Sequence, residues 1–213
     1  MASMVSSRPG RPRRKRAGQY HHGDLRRALI DQALRTIDKQ GVEGLTLRAV
    51  GEALGVSRTA LYRHFSDKQS LIAAVAREGF RTLRRDLLEA WERDGRGQAG
   101  FHAMGEAYLA FAVANPSHYR VMFGRFLESC VRDPELVQEA EGAFQALVEA
   151  LVAQQREGLA RRDDPVMLAR FVWSVVHGIA MLTIDGQLPP DDGARGVWNH
   201  YASQRLQAAV AIQ

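Results

Sequence analysis

Only one cysteine, Cys130, occurs in the 213 residues, so no internal disulfide can close and no paired-cysteine metal site exists. No apolar h-region follows the basic start, which argues against secretion and makes a reducing cytoplasm the default compartment. Long apolar runs are also missing. The longest, "FVWSVVHGIAMLTI" from Phe171 to Ile184, has 14 residues and is interrupted by Ser174, His177 and Gly178. A bilayer-spanning helix needs about 20, so this stretch reads as a core or interface helix and no membrane partner is expected. No strand alternation extends beyond a few residues, and no internal repeat is present. Nucleophile-elbow, zincin and P-loop patterns are absent too, and His21-His22 are adjacent and so poorly placed to share a metal. Catalysis, metal and cofactor are therefore not expected.

What is present begins with a charge asymmetry. Residues 1–65 hold 13 Lys and Arg against 5 Asp and Glu, whereas residues 66–213 hold 16 against 19. A polyanionic partner should meet the amino end. Residues 1–18 combine Ser, Pro, Gly and six basic residues with little to bury, as expected of a disordered basic arm.

From Asp24 onward the pattern is helical. Asp24 is the expected N-cap of a first helix with an apolar stripe of Leu25, Ala28, Leu29, Ala33 and Ile37 that ends before Gly41. Thr46 caps a second helix, with Leu47, Val50 and Leu54 inside, and Gly55 stops it. Ser57 caps a third, and the box Ser66-x-x-Gln69 opens a long fourth helix. Further helices are expected near 101–114, 117–129, 134–160, 165–185 and 194–211. Their breaks fall at Asn115-Pro116, Asp133-Pro134, Asp164-Pro165 and the loop "GQLPPDDG". The fold class is all-α, with a helix-turn-helix unit over 19–70 and a larger helical domain over 71–213.

The stretch "VSRTALYRHF", Val56 to Phe65, directs the functional reading. At about 100° per residue, Leu61 and Phe65 face inward together, while Thr59, Tyr62 and Arg63 face outward and Arg58 lies on the flank. Exposed donors of this kind suit a major groove. Arg donates twice to guanine, Thr offers a methyl to thymine, and Tyr or His bonds phosphate. Capped helix starts at Thr46 and Ser66-Asp67 offer backbone N–H groups to phosphate, with Lys68 beside the second.

Tyr20 to about Val75 resembles the amino-terminal DNA-binding domain of the TetR family of transcriptional regulators. The cap residue, the "LGVS" turn, "LYRHF" and "DKQSL" all arrive in register. The resemblance implies duplex DNA as partner. It also implies base contact by Arg58 and Thr59, base or phosphate contact by Arg48, and backbone contact by Tyr62, His64, Thr46 and Lys68, with Ser57 and Arg63 on the same surface.

One short reading helix supplies few base contacts, each worth about 1–3 kcal/mol, whereas operator preference needs roughly 4–10 kcal/mol. Two copies on a near-palindrome are expected. The last two helices, with stripes of Phe171, Val172, Val175, Ile179 and Leu182 on one and Val197, Trp198, Tyr201, Leu206 and Ala209 on the other, resemble the pair through which family members dimerise as a four-helix bundle, with monomer core as the plain alternative. The middle helices are rich in aromatic and sulfur side chains. Family resemblance makes Met104, Tyr108, Phe111, Tyr119, Met122, Phe123, Phe126, Trp173 and His177 candidates for a small-effector pocket, with ordinary core as the plain alternative for each. The segment "WSVVHG" resembles the Trp/His/Gly signature of a subgroup of these regulators. The rival function is a sequence-indifferent nucleic-acid binder that relies on the basic arm.

Overall fold

The computed structural model describes residues 22–130, 133–188 and 195–211, apart from the side chains of 22–24, 128–130, 195–200 and 202–203. The basic arm 1–18 and the Pro189–Gly193 part of the "GQLPPDDG" loop lie outside these. Among the described residues the chain is helical, and extended pairing is limited to one isolated bridge, Ala160 with Ala211.

Helix α1, His22–Gln40, starts two residues before the expected cap, so Asp24 sits within its first turn. Leu25, Leu29, Ile30, Ala33 and Ile37 are buried along it. Helix α2, Leu47–Leu54, follows Thr46, whose hydroxyl accepts the Ala49 N–H at 3.1 Å. Gly55 ends it at φ 64°, a left-handed conformation that a side chain would strain. Helix α3, Arg58–His64, begins with the Ser57 hydroxyl accepting the Ala60 N–H at 3.2 Å.

Helix α4, Lys68–Arg93, corrects one expectation: its capping box is Asp67 with Ser70, not Ser66 with Gln69. The Asp67 carboxylate accepts the Ser70 N–H at 2.7 Å, and the Ser70 hydroxyl accepts the Asp67 N–H at 3.3 Å. A carboxylate accepts an N-terminal amide more strongly than a neutral hydroxyl, and this bond with Ser70 is the first reason the Asp67 pKa falls. Ser66 instead donates to Asp67 at 3.1 Å.

Helix α5 spans Gly97–Ala114 and α6 spans Pro116–Met122, followed by a 3-10 segment, Arg125–Cys130. The single helix expected over 117–129 therefore divides. Gly124 lies at the division, and a Cβ there would stand 2.3 Å from the Arg120 carbonyl oxygen. Helices α7, Pro134–Arg156, and α8, Pro165–Ile184, both carry Pro in the first turn behind capping Asp133 and Asp164. Helix α7 ends four residues early, where the Leu159 N–H turns back to the Gln154 carbonyl at 2.8 Å and Gly158 adopts φ 71°. Helix α9 spans Arg195–Val210.

Helix α4 is the axis of the molecule. Near its start it packs on α1, and farther along on α5, α6 and α7. By length and composition alone the 20-residue α8 could cross a membrane, which the 14-residue apolar run had not suggested. It packs against α5, α7 and α9, with Leu168, Ala169, Val172, Val176 and Ala180 buried.

Candidate functional site

On α3, Leu61 and Phe65 are 2% and 3% exposed. Leu61 packs so close to α2 that a Cβ on Gly51 would lie 3.2 Å from its Cδ2. With these two anchors buried, Ser57, Arg58, Thr59, Tyr62 and Arg63 are left exposed. Tyr62 is 46% exposed, and the Arg58 guanidinium sits 5.6 Å from the centre of its ring. Thr46 and Arg48 are exposed at the start of α2, where Arg48 bonds Glu52 at 2.7 Å. That bond is the main reason its pKa rises.

Two of the expected contact residues are placed differently from the rest. His64 is half-buried with its Nε2 inside the protein. Lys68 is also half-buried: its Nζ donates to the Glu43 carbonyl at 3.1 Å and lies 5.8 Å from the Phe126 ring centre. Arg125 pairs with the Glu43 carboxylate, so the 3-10 segment is tied to the α1–α2 turn.

Farther along α4 lies a cavity of about 270 Å³. Helix α4 gives it Phe80, Leu83 and Leu87, while α5 gives Phe101, Met104, Gly105 and Tyr108. Met122, Phe123 and Leu127 close one side, and Ala140, Ala143, Phe144 and Leu147 of α7 another. Val172, Trp173 and Val176 of α8 and Leu206 of α9 complete it. Of the expected residues, Met104, Tyr108, Met122, Phe123 and Trp173 are in the wall. Phe111 is buried elsewhere in the core, and Phe126 lies beneath Arg125 and Lys68. The contribution of α4 was missed because an apolar stripe looks the same whether it fills a core or borders a space.

Tyr119 and His177 stand behind the wall in a hydrogen-bonded chain. Trp173 Nε1 donates to Tyr108 Oη at 3.2 Å, the Tyr108 and Tyr119 hydroxyls are 2.8 Å apart, and Tyr119 Oη lies 2.7 Å from His177 Nδ1. Burial pushes the Tyr108 hydroxyl up to about 12, raises Tyr119 as well and lowers His177. At neutral pH the chain therefore carries no charge.

Met122 joins the cavity to the axis. Opposite it α4 has Gly79, where a Cβ would stand 2.4 Å from the Met122 Sδ, so the thioether lies on bare helix backbone. On the far side of α8, Met167, Phe171 and Leu182 are exposed, Phe171 by 50%. Nothing lies within 4 Å of a Cβ built on Gly178. The stripe expected for an interface is thus split: Val172 faces the cavity, Val175 and Ile179 are half-buried, and Phe171 and Leu182 face out. Tyr201 on α9 is exposed, with the Arg205 guanidinium 5.0 Å from its ring centre. Trp198 and Val197 lie outside the described side chains.

Residues 29–75 match the family described as bacterial regulatory proteins, tetR family, and residues 101–202 match the tetracyclin repressor-like C-terminal domain. An HTH-type transcriptional regulator of Mycobacterium tuberculosis is 32% identical over 171 residues, which is 80% of this chain and 70% of that one. A solved structure from Rhodococcus sp. RHA1, described as a protein with unknown function, superposes with a TM-score of 0.79 at 32% identity. It covers 91% of this chain and 98% of its own. The class C tetracycline repressor protein of Escherichia coli is 47% identical over 51 residues, 24% of this chain and 23% of that one.

Proposed function

The chain belongs to the TetR family of bacterial transcriptional regulators, and from that premise we propose that it is a repressor. It binds a near-palindromic operator as a homodimer in the cytoplasm and is released when a small molecule occupies the core cavity. The observation that carries this reading is the exposure of Arg58, Thr59 and Tyr62 on a helix held from behind by Leu61 and Phe65. No packing role explains three long or polar side chains there, and each has a natural partner in a duplex groove. In this reading Arg58 and Thr59 contact bases. Thr46, Arg48, Ser57, Tyr62 and Arg63 position the backbone, while His64 and Lys68 support the reading surface from its edge.

Release follows from the shared axis. One helix of 26 residues, about 39 Å long, carries Leu71, Ile72 and Val75 at its buried amino end and Phe80, Leu83 and Leu87 into the cavity wall. An effector that fits the wall best when α4 is tilted changes the separation of the two reading heads. The coupling is reciprocal, so operator DNA weakens effector binding by the same factor, typically a free energy of about 1–3 kcal/mol. Exposed Met167, Phe171 and Leu182 on α8, with Tyr201 on α9, supply the two-fold surface.

Selection of duplexes from a random pool by the purified full-length protein tests the reading. The expected winners share a near-palindromic site occupied by two chains. Enrichment of no sequence, or occupancy by single chains, would overturn it.

A further inference from the structure

Among the described residues, the cavity wall includes no acidic or basic side chain. A carboxylate or ammonium entering it would lose its water and meet no opposite charge. The wall's described residues do present six aromatic rings, those of Phe80, Phe101, Tyr108, Phe123, Phe144 and Trp173, which favour a flat guest against their faces and edges. A dry cavity of about 150 Å³ holds benzene, so the 270 Å³ here takes a guest of roughly ten to fifteen non-hydrogen atoms.

The polar chain beside the cavity adds a direction. Among the described wall side chains, nitrogen and oxygen enter only at Tyr108 and Trp173. An indole N–H can only donate, so the 3.2 Å contact makes the Tyr108 oxygen an acceptor. If Tyr108 then donates to Tyr119 and Tyr119 to His177 Nδ1, the indole and both hydroxyl hydrogens are used; Tyr108 Oη also lies 3.5 Å from Nδ1, too far to compete with the 2.7 Å contact of Tyr119. The reverse order, starting from a hydrogen on Nδ1, makes the Tyr108 oxygen accept twice and leaves its own hydrogen without an acceptor in the chain. A buried site penalises such an unmade bond. In the favoured order the capacity still open at the wall is a lone pair on Tyr108.

The geometry points to an uncharged aromatic effector bearing a hydroxyl that donates to the Tyr108 oxygen. This deepens the proposed release mechanism and rests on it for the word effector, but the binding chemistry can be measured without DNA. Full-length protein is titrated calorimetrically with 4-phenylphenol, its isostere 4-methylbiphenyl, and biphenyl-4-carboxylate. The phenol should bind about three- to tenfold tighter than the methyl compound, from one hydrogen bond. The carboxylate should bind at least about a hundredfold more weakly than either, for want of a counter-charge. In Tyr108→Phe the advantage of the phenol should vanish while 4-methylbiphenyl binds within about twofold of wild type, since only the oxygen is lost. Ala143→Phe, which fills the cavity, should abolish binding of all three and serves as the deciding variant if Tyr108→Phe fails to fold. The inference is overturned if the carboxylate matches the phenol, if the methyl compound equals or beats it, if no probe binds, or if binding survives Ala143→Phe. Should the probes bind as expected yet leave affinity for the selected operator unchanged, the release mechanism fails and the cavity chemistry stands.

Discussion

Helices α3 and α8 each bury one stripe and leave the opposite face uncovered, but the uncovered faces differ in kind. Behind α3 lie Leu61 and Phe65, and in front are Ser57, Arg58, Thr59, Tyr62 and Arg63. Behind α8 lie Val172, Val176 and Ala180, and in front are Met167, Phe171, Ser174, Gly178 and Leu182. The first face offers donors that water satisfies as well as a partner would, so it can wait in solvent and exchange water for phosphate and base edges. The second, apart from exposed Arg170 and Ser174, offers apolar surface, which gains by meeting another such surface, with a bare glycine to let it approach. Under the proposed function, the same packing rule prepares one helix for reversible polar recognition and the other for lasting association.

The contrast can be broken from behind or from in front. From behind, Leu61→Ala should lower stability by about 2–5 kcal/mol through the cavity it leaves and should abolish operator binding, measured by denaturant unfolding and anisotropy. Retained operator binding at full stability would show that α3 needs no anchor. From in front, Phe171→Glu should cost about 2 kcal/mol or more of association free energy, read as a monomer in sedimentation at concentrations where the parent is a dimer. An unchanged sedimentation profile would remove α8 from the interface.

Arg58→Ala should leave the fold and the dimer intact and lose about 1–3 kcal/mol of discrimination at one base pair per half-site. Uniform weakening across all operator variants would instead make Arg58 a phosphate contact. Lys68→Ala should weaken all sites alike. If Lys68 leaves the Glu43 carbonyl for a phosphate on binding, the slope of log affinity against log salt should fall by about one per chain. An unchanged slope would mean the lysine keeps its intramolecular bond in the complex.

The smallest effect concerns the core. Burial lowers the His177 pKa below its ordinary 6.5, so as pH falls the unfolded chain takes up a proton before the folded one does. His177 therefore contributes stability that is complete above about pH 6.5 and is lost as the pH drops through the lowered folded value. His118, lowered chiefly by burial, acts in the same sense. In His177→Gln the loss of Tm between about pH 7.5 and 5.5 should shrink without disappearing. An unaltered loss would assign the whole effect to other groups.

Much of α1 to α4 was legible because the signals are local. The Thr46 and Ser57 caps, Gly55 and the Leu61/Phe65 pair each act within a turn or two of themselves. The misplacement of the α4 box by one residue reflects competition between neighbouring Ser66 and Asp67, which a pattern match does not weigh. Less of α8 was legible. It is apolar nearly all round, so periodicity cannot say that Val172 looks inward and Phe171 outward. The cavity was readable only in part, because aromatic content marks candidate walls, whereas the empty space depends on small residues such as Gly105 and Ala143 standing opposite large ones. The binding of Lys68 to Glu43 and Phe126 joins residues far apart in the chain, and nothing near Lys68 announces it.

Because α4 serves both the amino-terminal helices and the cavity without interruption, the number of residues between Val75 and Phe80 is itself a fixed parameter of the molecule. One residue inserted there would swing everything ahead of it by about 100° around the helix axis and push it outward by about 1.5 Å. Any exchange of the amino-terminal helices for those of a relative must therefore join this helix in phase, much as a screw thread accepts a nut only at the right turn.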